Sequence, residues 1–167
     1  MGIYSEIAER IRSEIDDLEQ TVDRILKVWS DMKKAPVDQS VYIDSVALNL
    51  HGFYSALEKL FELILRNIDK KTLPSKTWHQ DLLKIMSQSA ESVRPAVISN
   101  DTYKRLDKFL RFRHLVRNIY ATNLIPQKIE LLIEDLGLLW PNLRRELLSF
   151  AGFLERLNRD LVKRYKI

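Results

Sequence analysis

An apolar stripe near the N-terminus constrains the fold of this chain most strongly. Seven apolar residues recur there at steps of three and four: Ile7, Ile11, Ile15, Leu18, Val22, Ile25 and Trp29. This spacing follows the 3.6-residue period of an α-helix and puts all seven side chains on one narrow face. The pattern predicts a helix over about 4–32 that needs a partner helix. A stripe of this kind suits either a helix that covers the bundle or one that dimerises.

Further helices are predicted downstream, separated by polar or proline-containing breaks. They cover about 40–69, a short segment through 78–86, 103–120 and 127–164, with 87–100 as a connection. The second helix has the wide apolar face that is typical of the centre of a bundle, formed by Val46, Leu50, Phe53, Leu57, Leu60, Phe61, Ile64, Leu65 and Ile68. Pro141 lacks a backbone N–H donor, so we expect it to divide or kink the last helix.

Short polar residues before three of these helices are candidate N-caps, because their side chains can accept from the first free N–H groups. Asp38 is the candidate for the second helix, Ser75 or Thr77 for the third, and Asp101 or Thr102 for the fourth.

Composition agrees with the helical patterns. The chain has 167 residues, only four glycines and five prolines, and no cysteine. We therefore predict an all-α protein, an antiparallel bundle of four or five helices in a single domain over 1–167. Without cysteine, disulfides and thiolate metal sites are excluded. No stretch approaches the ~18 uncharged apolar residues of a membrane span, and no signal peptide is recognisable, so we expect a cytoplasmic protein with no membrane partner.

A basic cluster at the end of the fourth predicted helix is the candidate site for chemistry. Residues 111–120 contain three arginines, a histidine, an asparagine and a tyrosine. Residues 101–167 carry 14 Lys and Arg against 8 Asp and Glu, whereas residues 1–100 carry 13 against 15. Arginine binds phosphate bidentately and keeps its charge, so the cluster favours an RNA backbone as its partner, with Arg111 and Arg117 as candidate contacts. The alternative is a solvated face of a basic helix.

On an ideal helix the cluster forms two polar faces that flank an apolar one. Arg113, Arg117 and Tyr120 share one face, while Arg111, His114 and Asn118 share the other together with Asp107. Arg113 and Asn118 are about 140° apart on such a helix. Joint action of these two residues on one phosphate therefore requires a distorted turn or residues from a second copy.

Arg113, four residues, Asn118, one residue and Tyr120 resemble the motif of the HepT-like HEPN ribonucleases, which usually reads Arg, four residues, His, one residue, Tyr. The resemblance covers about residues 40–135. Its further segments are His51 to Glu62, Ile68-Asp69, Leu73-Pro74, Trp78-His79, Leu82-Leu83, Arg94 to Ser99 and Phe112-Arg113-His114.

The resemblance implies a HEPN-like helical toxin of a toxin–antitoxin pair, an endoribonuclease that works as a homodimer without metal or other cofactor. Two motifs would face each other across the dimer cleft, with Arg113 stabilising charge on the phosphate. The antitoxin of such a pair is a minimal nucleotidyltransferase, and Tyr120 matches the tyrosine that it can modify.

The chain departs from the family motif at Asn118. Asparagine orients a phosphate or hydroxyl but does not transfer protons, so this chain lacks the motif histidine. We hypothesise that His114, one helical turn away, supplies the missing imidazole. The alternative is a catalytically degenerate module that binds RNA or a nucleotidyltransferase without cutting.

Other polar residues receive structural interpretations from their spacing. His51 and His79 are expected at the surface or an interface, and the three histidines lack metal-ligand spacing. Glu58 and Glu62 lie one turn apart, and we expect ordinary solvated i, i+4 carboxylates, with a buried Glu58 that reaches the Arg113 helix as the alternative.

Overall fold

The structure is a computed structural model that describes residues 2–35, 38–118 and 124–165, apart from the side chains of Arg117 and Asn118. The described chain forms five α-helices: α1 (Ile3–Lys34), α2 (Ser40–Ile64), α3 (Trp78–Met86), α4 (Asn100–Asn118) and α5 (Pro126–Tyr165). A π-helical turn, Leu65–Asp69, extends α2. The all-α prediction is confirmed, and within these ranges the only β feature is an isolated bridge between Ala90 and Arg94. No described helix is both long and apolar enough to cross a membrane.

The apolar stripe of α1 packs against other helices of the same chain. All seven of its predicted residues are buried, and the helix packs against both α2 and α5. Burial of a large aliphatic side chain stabilises a fold by about 1.5–3 kcal/mol, so this face contributes strongly to the bundle. The stripe therefore covers the bundle.

Ion pairs between α1 and α5 show the relative direction of the two helices. Arg12 pairs with Glu155, Glu19 with Arg144, and Lys33 with Glu130, so residue numbers rise on one helix as they fall on the other. The two long helices are antiparallel, as predicted for the bundle. The pairs are solvent-exposed, and each contributes little to stability.

The centre of the bundle is α2, which packs against α1, α3 and α4. Every residue of its predicted apolar face is buried. Where its π-helical turn ends, Lys70 adopts a positive φ of 56° that lets the chain leave the helix. The last residue of this turn, Asp69, is held by the connection between α3 and α4.

That connection, residues 87–99, is anchored by a buried ion pair. The Arg94 Nε and Nη2 atoms donate to the two carboxylate oxygens of Asp69 at 2.6 and 2.8 Å. The same guanidinium also donates to the backbone carbonyls of Gln88, Pro95 and Ile85. Both side chains are at most 2% exposed. The Arg94–Asp69 pair therefore holds the predicted connection against the end of α2.

The helix starts differ from the predicted caps. Gln39, not Asp38, is the N-cap of α2, and the Asp38 carboxylate accepts from the Ser40 hydroxyl instead. Ser99, not Asp101 or Thr102, caps α4, since its hydroxyl accepts from the Thr102 N–H at 3.2 Å. Thr102 is the third residue after Ser99, and its N–H is one of those that an N-cap side chain reaches.

At α3 the N-cap is Thr77, one of the two predicted residues. Its hydroxyl, like that of Ser75, donates to the Asp81 carboxylate at 3.0 Å instead of accepting from a backbone N–H. The hydroxyls thus hold an acidic residue in the first turn of the helix, where its charge is favourable.

Pro141 does not divide the last helix, so the predicted break is wrong. The helix α5 continues without interruption from Pro126 to Tyr165. The proline ring faces the carbonyl of Gly137, four residues earlier, and is itself exposed. Burial on both sides of the proline outweighs the lost hydrogen bond, through Leu136, Leu139, Trp140, Leu143 and Leu147.

Replacing Pro141 by alanine is expected to stabilise the protein by about 1–3 kcal/mol, because it restores an N–H donor to the Gly137 carbonyl. Chemical denaturation measures the change. Gly137→Ala is the matched variant, since a Cβ there meets nothing within 4 Å. It should gain about 1 kcal/mol from helix propensity alone. A destabilised Pro141→Ala variant would contradict this explanation of α5.

Candidate functional site

Arg113 lies in α4 and reaches across to a buried carboxylate on α2. Its Nη1 atom donates to Glu58 Oε1 at 2.8 Å, and the side chains are only 13% and 5% exposed. The expectation that Glu58 is a solvated i, i+4 carboxylate was wrong. Glu62 does have that role, pairing with Arg66 on the same helix. A buried carboxylate needs a cation or several donors, and Glu58 obtains both from its partners.

The second Glu58 oxygen holds His79, the second residue of α3. The distance from His79 Nδ1 to Glu58 Oε2 is 2.7 Å. An ionised carboxylate only accepts, so Nδ1 carries the hydrogen and donates it. Arg113 Nη1 approaches the same Nδ1 to 3.4 Å. Because that nitrogen has no lone pair left, this approach is a packing contact. The pairing assigns the lone pair of neutral His79 to Nε2.

Two aromatic neighbours fix the His79 ring. The Trp78 ring stacks on it with centroids 3.6 Å apart, and the His114 ring meets it edge to face at 5.4 Å. The His79 side chain is 15% exposed, so of the two expected positions, the surface or an interface, the open surface is excluded. Arg113 and His114 lie on different polar faces of an ideal helix, but both contact the His79 ring. The structure therefore places their side chains in one cluster.

The Arg113 guanidinium retains donors for a ligand. Among the described residues its buried Nε atom has no hydrogen-bond partner, and only Nη1 is used on Glu58. An unpaired buried donor costs about 1–3 kcal/mol, a cost that an incoming acceptor such as a phosphate oxygen can remove. The fork geometry of arginine suits that role.

Tyr54 lines the same region from one helical turn before Glu58 and is almost fully buried. Burial, followed by the nearby Glu58 charge, raises the pKa of the Tyr54 hydroxyl far above its usual range. Tyr54 therefore stays neutral at all physiological pH values and does not act as a base or nucleophile.

The remaining residues of the basic cluster are distributed differently. Arg111 is 77% exposed and pairs with Asp107 at 2.8 Å, away from the Glu58 contact. Arg117 and Asn118 belong to the last turn of α4, but their side chains lie outside the described residues, and Tyr120 lies wholly outside them. The structure therefore places Arg113 and His114 in one cluster and Arg111 on the open surface.

Within residues 2–35, 38–118 and 124–165, no group of three or more His, Asp or Glu side chains could hold a metal ion. The cluster instead consists of one guanidinium, one carboxylate and two imidazoles. These groups can bind an anion and exchange protons.

Sequence reasoning underestimated Glu58 and missed His79. A signal for Glu58 exists, because it follows Tyr54 by four residues and precedes Phe61 by three on a wide apolar face. An acidic residue in such a position usually has a partner on another helix. For His79 the sequence offers no comparable signal, since it stands at the start of a short helix after a loop.

Comparison with known proteins yields one match. A family model described as HepT-like protein matches residues 45–154, which include α3, α4 and most of α2 and α5. No curated protein and no solved structure matches the chain. The matched range contains Glu58, His79, Arg113 and His114.

Proposed function

Since the chain belongs to the HepT-like family, we propose that it is a metal-independent endoribonuclease toxin of a toxin–antitoxin pair. The observation that carries the proposal is the cluster in which Arg113 pairs with buried Glu58 beside His79 and His114. This cluster combines an anion-binding group with proton-transfer groups. Both are needed to cut an RNA backbone without metal.

In the proposed reaction the 2′-hydroxyl of RNA attacks the adjacent phosphorus. Arg113 binds a non-bridging oxygen, where negative charge grows in the transition state. An imidazole takes the proton of the attacking hydroxyl, and His114 is the candidate from sequence. Asn118 is proposed to orient the phosphate or the hydroxyl, since its amide both donates and accepts. Arg111 and Arg117 add sequence-independent attraction for the backbone.

We also propose that the active form is a homodimer. A groove between α4 and α5 exposes Leu115, Leu131 and Leu138, which are 40%, 62% and 61% exposed. Charges of both signs line it, including Lys128 and Glu134. A mixed border of this kind suits a second copy of the same surface, because each cation can meet the copy's carboxylate. Such a dimer would bring the ends of two α4 helices near each other.

The proposed antitoxin is a minimal nucleotidyltransferase that modifies Tyr120. The support is family membership and the position of this tyrosine two residues after Asn118. A neighbouring reading frame with a Gly-Ser and paired-aspartate signature would support the pair. The absence of such a reading frame beside the gene would contradict the proposal of a toxin–antitoxin pair.

Purified protein should cleave RNA in the presence of EDTA and leave 2′,3′-cyclic phosphate ends, since the 2′-hydroxyl is the nucleophile. Gel analysis of end-labelled RNA, followed by phosphatase treatment with and without acid opening of the ring, identifies those ends. Sedimentation of the same sample should give the mass of a dimer. Cleavage that disappears with EDTA would contradict the metal-independent route, and a monomeric active species would contradict the dimer.

The second candidate is a catalytically degenerate module that binds RNA or its partner without cutting. The observation that favours it is Asn118, where the family motif usually has histidine. In that case the protein would bind RNA with a strong salt dependence but leave it intact. The EDTA assay separates the two candidates directly.

A further inference from the structure

We propose that His79, and not His114, accepts the proton of the attacking 2′-hydroxyl, in a dyad with Glu58. This inference rests on the proposed ribonuclease function and adds a catalytic residue that lies outside the family motif. It explains how the chain can lack the motif histidine at Asn118. The base comes from α3, while the anion-binding arginine comes from α4.

The Glu58 contact prepares His79 for this role. A carboxylate that accepts from Nδ1 at 2.7 Å fixes the tautomer, so the lone pair is on Nε2. It also stabilises the imidazolium that forms when Nε2 takes a proton, as in carboxylate–histidine pairs of hydrolases. The Trp78 stack at 3.6 Å restricts rotation of the ring. The ring is therefore oriented before substrate binds.

Glu58 also couples the base to the phosphate-binding group. Its two oxygens hold His79 at 2.7 Å and Arg113 at 2.8 Å, so one buried side chain fixes both. Arg113 Nη1 packs against His79 Nδ1 at 3.4 Å, so a phosphate bound by the remaining donors of Arg113 would lie beside the His79 ring. The spacing suits a base that acts on a hydroxyl next to that phosphate.

The two imidazoles of one chain do not act on opposite sides of the same phosphorus. Their centroids are 5.4 Å apart in edge-to-face contact, which leaves no room for a phosphate between them. An in-line displacement places the attacking and leaving oxygens on opposite sides of phosphorus. Only one of the rings can therefore stand at the attacking oxygen, and this role belongs to His79, whose ring Glu58 orients.

The step is balanced without a co-reactant. The O2′–phosphorus bond forms, the phosphorus–O5′ bond breaks, and Nε2 of His79 takes the proton of the 2′-hydroxyl. The departing 5′ oxygen takes a proton from water, and His79 returns its proton to solvent. The products are a 2′,3′-cyclic phosphate and a free 5′-hydroxyl.

The test must separate proton transfer from support of Glu58, because His79 also holds that carboxylate. Asparagine at position 79 keeps an N–H donor near the place of Nδ1 but has no basic nitrogen. His79→Asn should keep the fold and RNA affinity of the parent while its cleavage rate falls by about 10²–10⁴-fold. His79→Ala, which opens a space beside Trp78, should regain part of its rate when imidazole is added.

His114→Ala provides the comparison: it removes the ring that packs against His79, so we expect the cleavage rate to fall by up to about tenfold, much less than in His79→Asn. If His79→Asn cleaves as fast as the parent, or if His114→Ala is the variant that loses activity and is rescued by imidazole, the assignment of His79 is overturned while the ribonuclease proposal stands. If the parent binds RNA and never cleaves it, both proposals are overturned.

Discussion

Replacing Arg113 by alanine is expected to lower the rate of RNA cleavage by at least about 10²–10³-fold. The guanidinium is the group that would bind the phosphate oxygen as charge develops, and loss of one such donor has an effect of this size. It also removes the cation that neutralises Glu58, which is only 5% exposed. Single-turnover cleavage with saturating protein measures the rate, and thermal unfolding measures the accompanying loss of stability.

Two variants separate the chemical role of Arg113 from its structural one. Arg113→Lys keeps a cation for Glu58 but lacks the planar fork, so the fold should be retained while cleavage falls strongly. Arg12→Ala removes an exposed arginine that pairs with Glu155 between α1 and α5, and it should cleave like the parent. An Arg113→Lys variant with the parental rate would show that only charge is required at this position.

Replacing Arg94 by alanine is expected to reduce the free energy of unfolding by about 3–5 kcal/mol. Breaking a buried ion pair leaves the Asp69 carboxylate, 2% exposed, without its cation. The backbone carbonyls of Gln88 and Pro95 lose their donor as well. For a chain of this length the loss corresponds to a fall in melting temperature of roughly 6–20 °C. Urea denaturation or calorimetry measures the change.

The matched control is again Arg12→Ala, whose exposed pair should contribute no more than about 1 kcal/mol. The double replacement of Arg94 by methionine and Asp69 by leucine should recover part of the loss, because no charge is then buried alone. It should not recover all of it, since the carbonyls at the end of α3 stay without a donor. Equal stability of Arg94→Ala and Arg12→Ala would contradict the role of the buried pair.

The pH response of the exposed Arg12–Glu155 pair has a defined sign. A hydrogen bond from Arg12 lowers the pKa of Glu155 below its usual value. A carboxyl with a lowered pKa in the folded state stabilises the fold above its unfolded pKa, and the contribution is lost as pH falls through the folded pKa. Solvent screening makes this contribution small. It belongs to the α1–α5 contact and leaves the candidate site unaffected.

Much of the fold was predictable because it depends on local patterns. The stripes of α1 and α2 have the helical period over many residues, and every side chain assigned to those faces is buried. Predictions from long periodic segments are reliable because a helix can bury such a stripe only by turning that face towards the core. The exact helix starts were less predictable, because Ser99 and Asp101 both have capping side chains and a difference of two residues changes few contacts.

Pro141 shows where local rules fail. The proline rule considers one missing hydrogen bond and one steric contact, both of which lie within α5. The helix continues because the residues on either side pack against other helices, and that packing energy is absent from any local window of sequence.

By itself, the sequence determined the helices, their buried faces and the presence of Arg113 and His114 in one motif-like segment. Only the tertiary structure decided which groups lie together. Glu58, His79 and Arg113 come from α2, α3 and α4, and they meet because the apolar faces of these helices pack against one another. Helix periodicity indicates which side of each helix is buried, but it does not give the register of the helix along the axes of its neighbours. The contacts of buried Glu58 with Arg113 and His79 depend on that register, so the candidate site forms only when the helices pack.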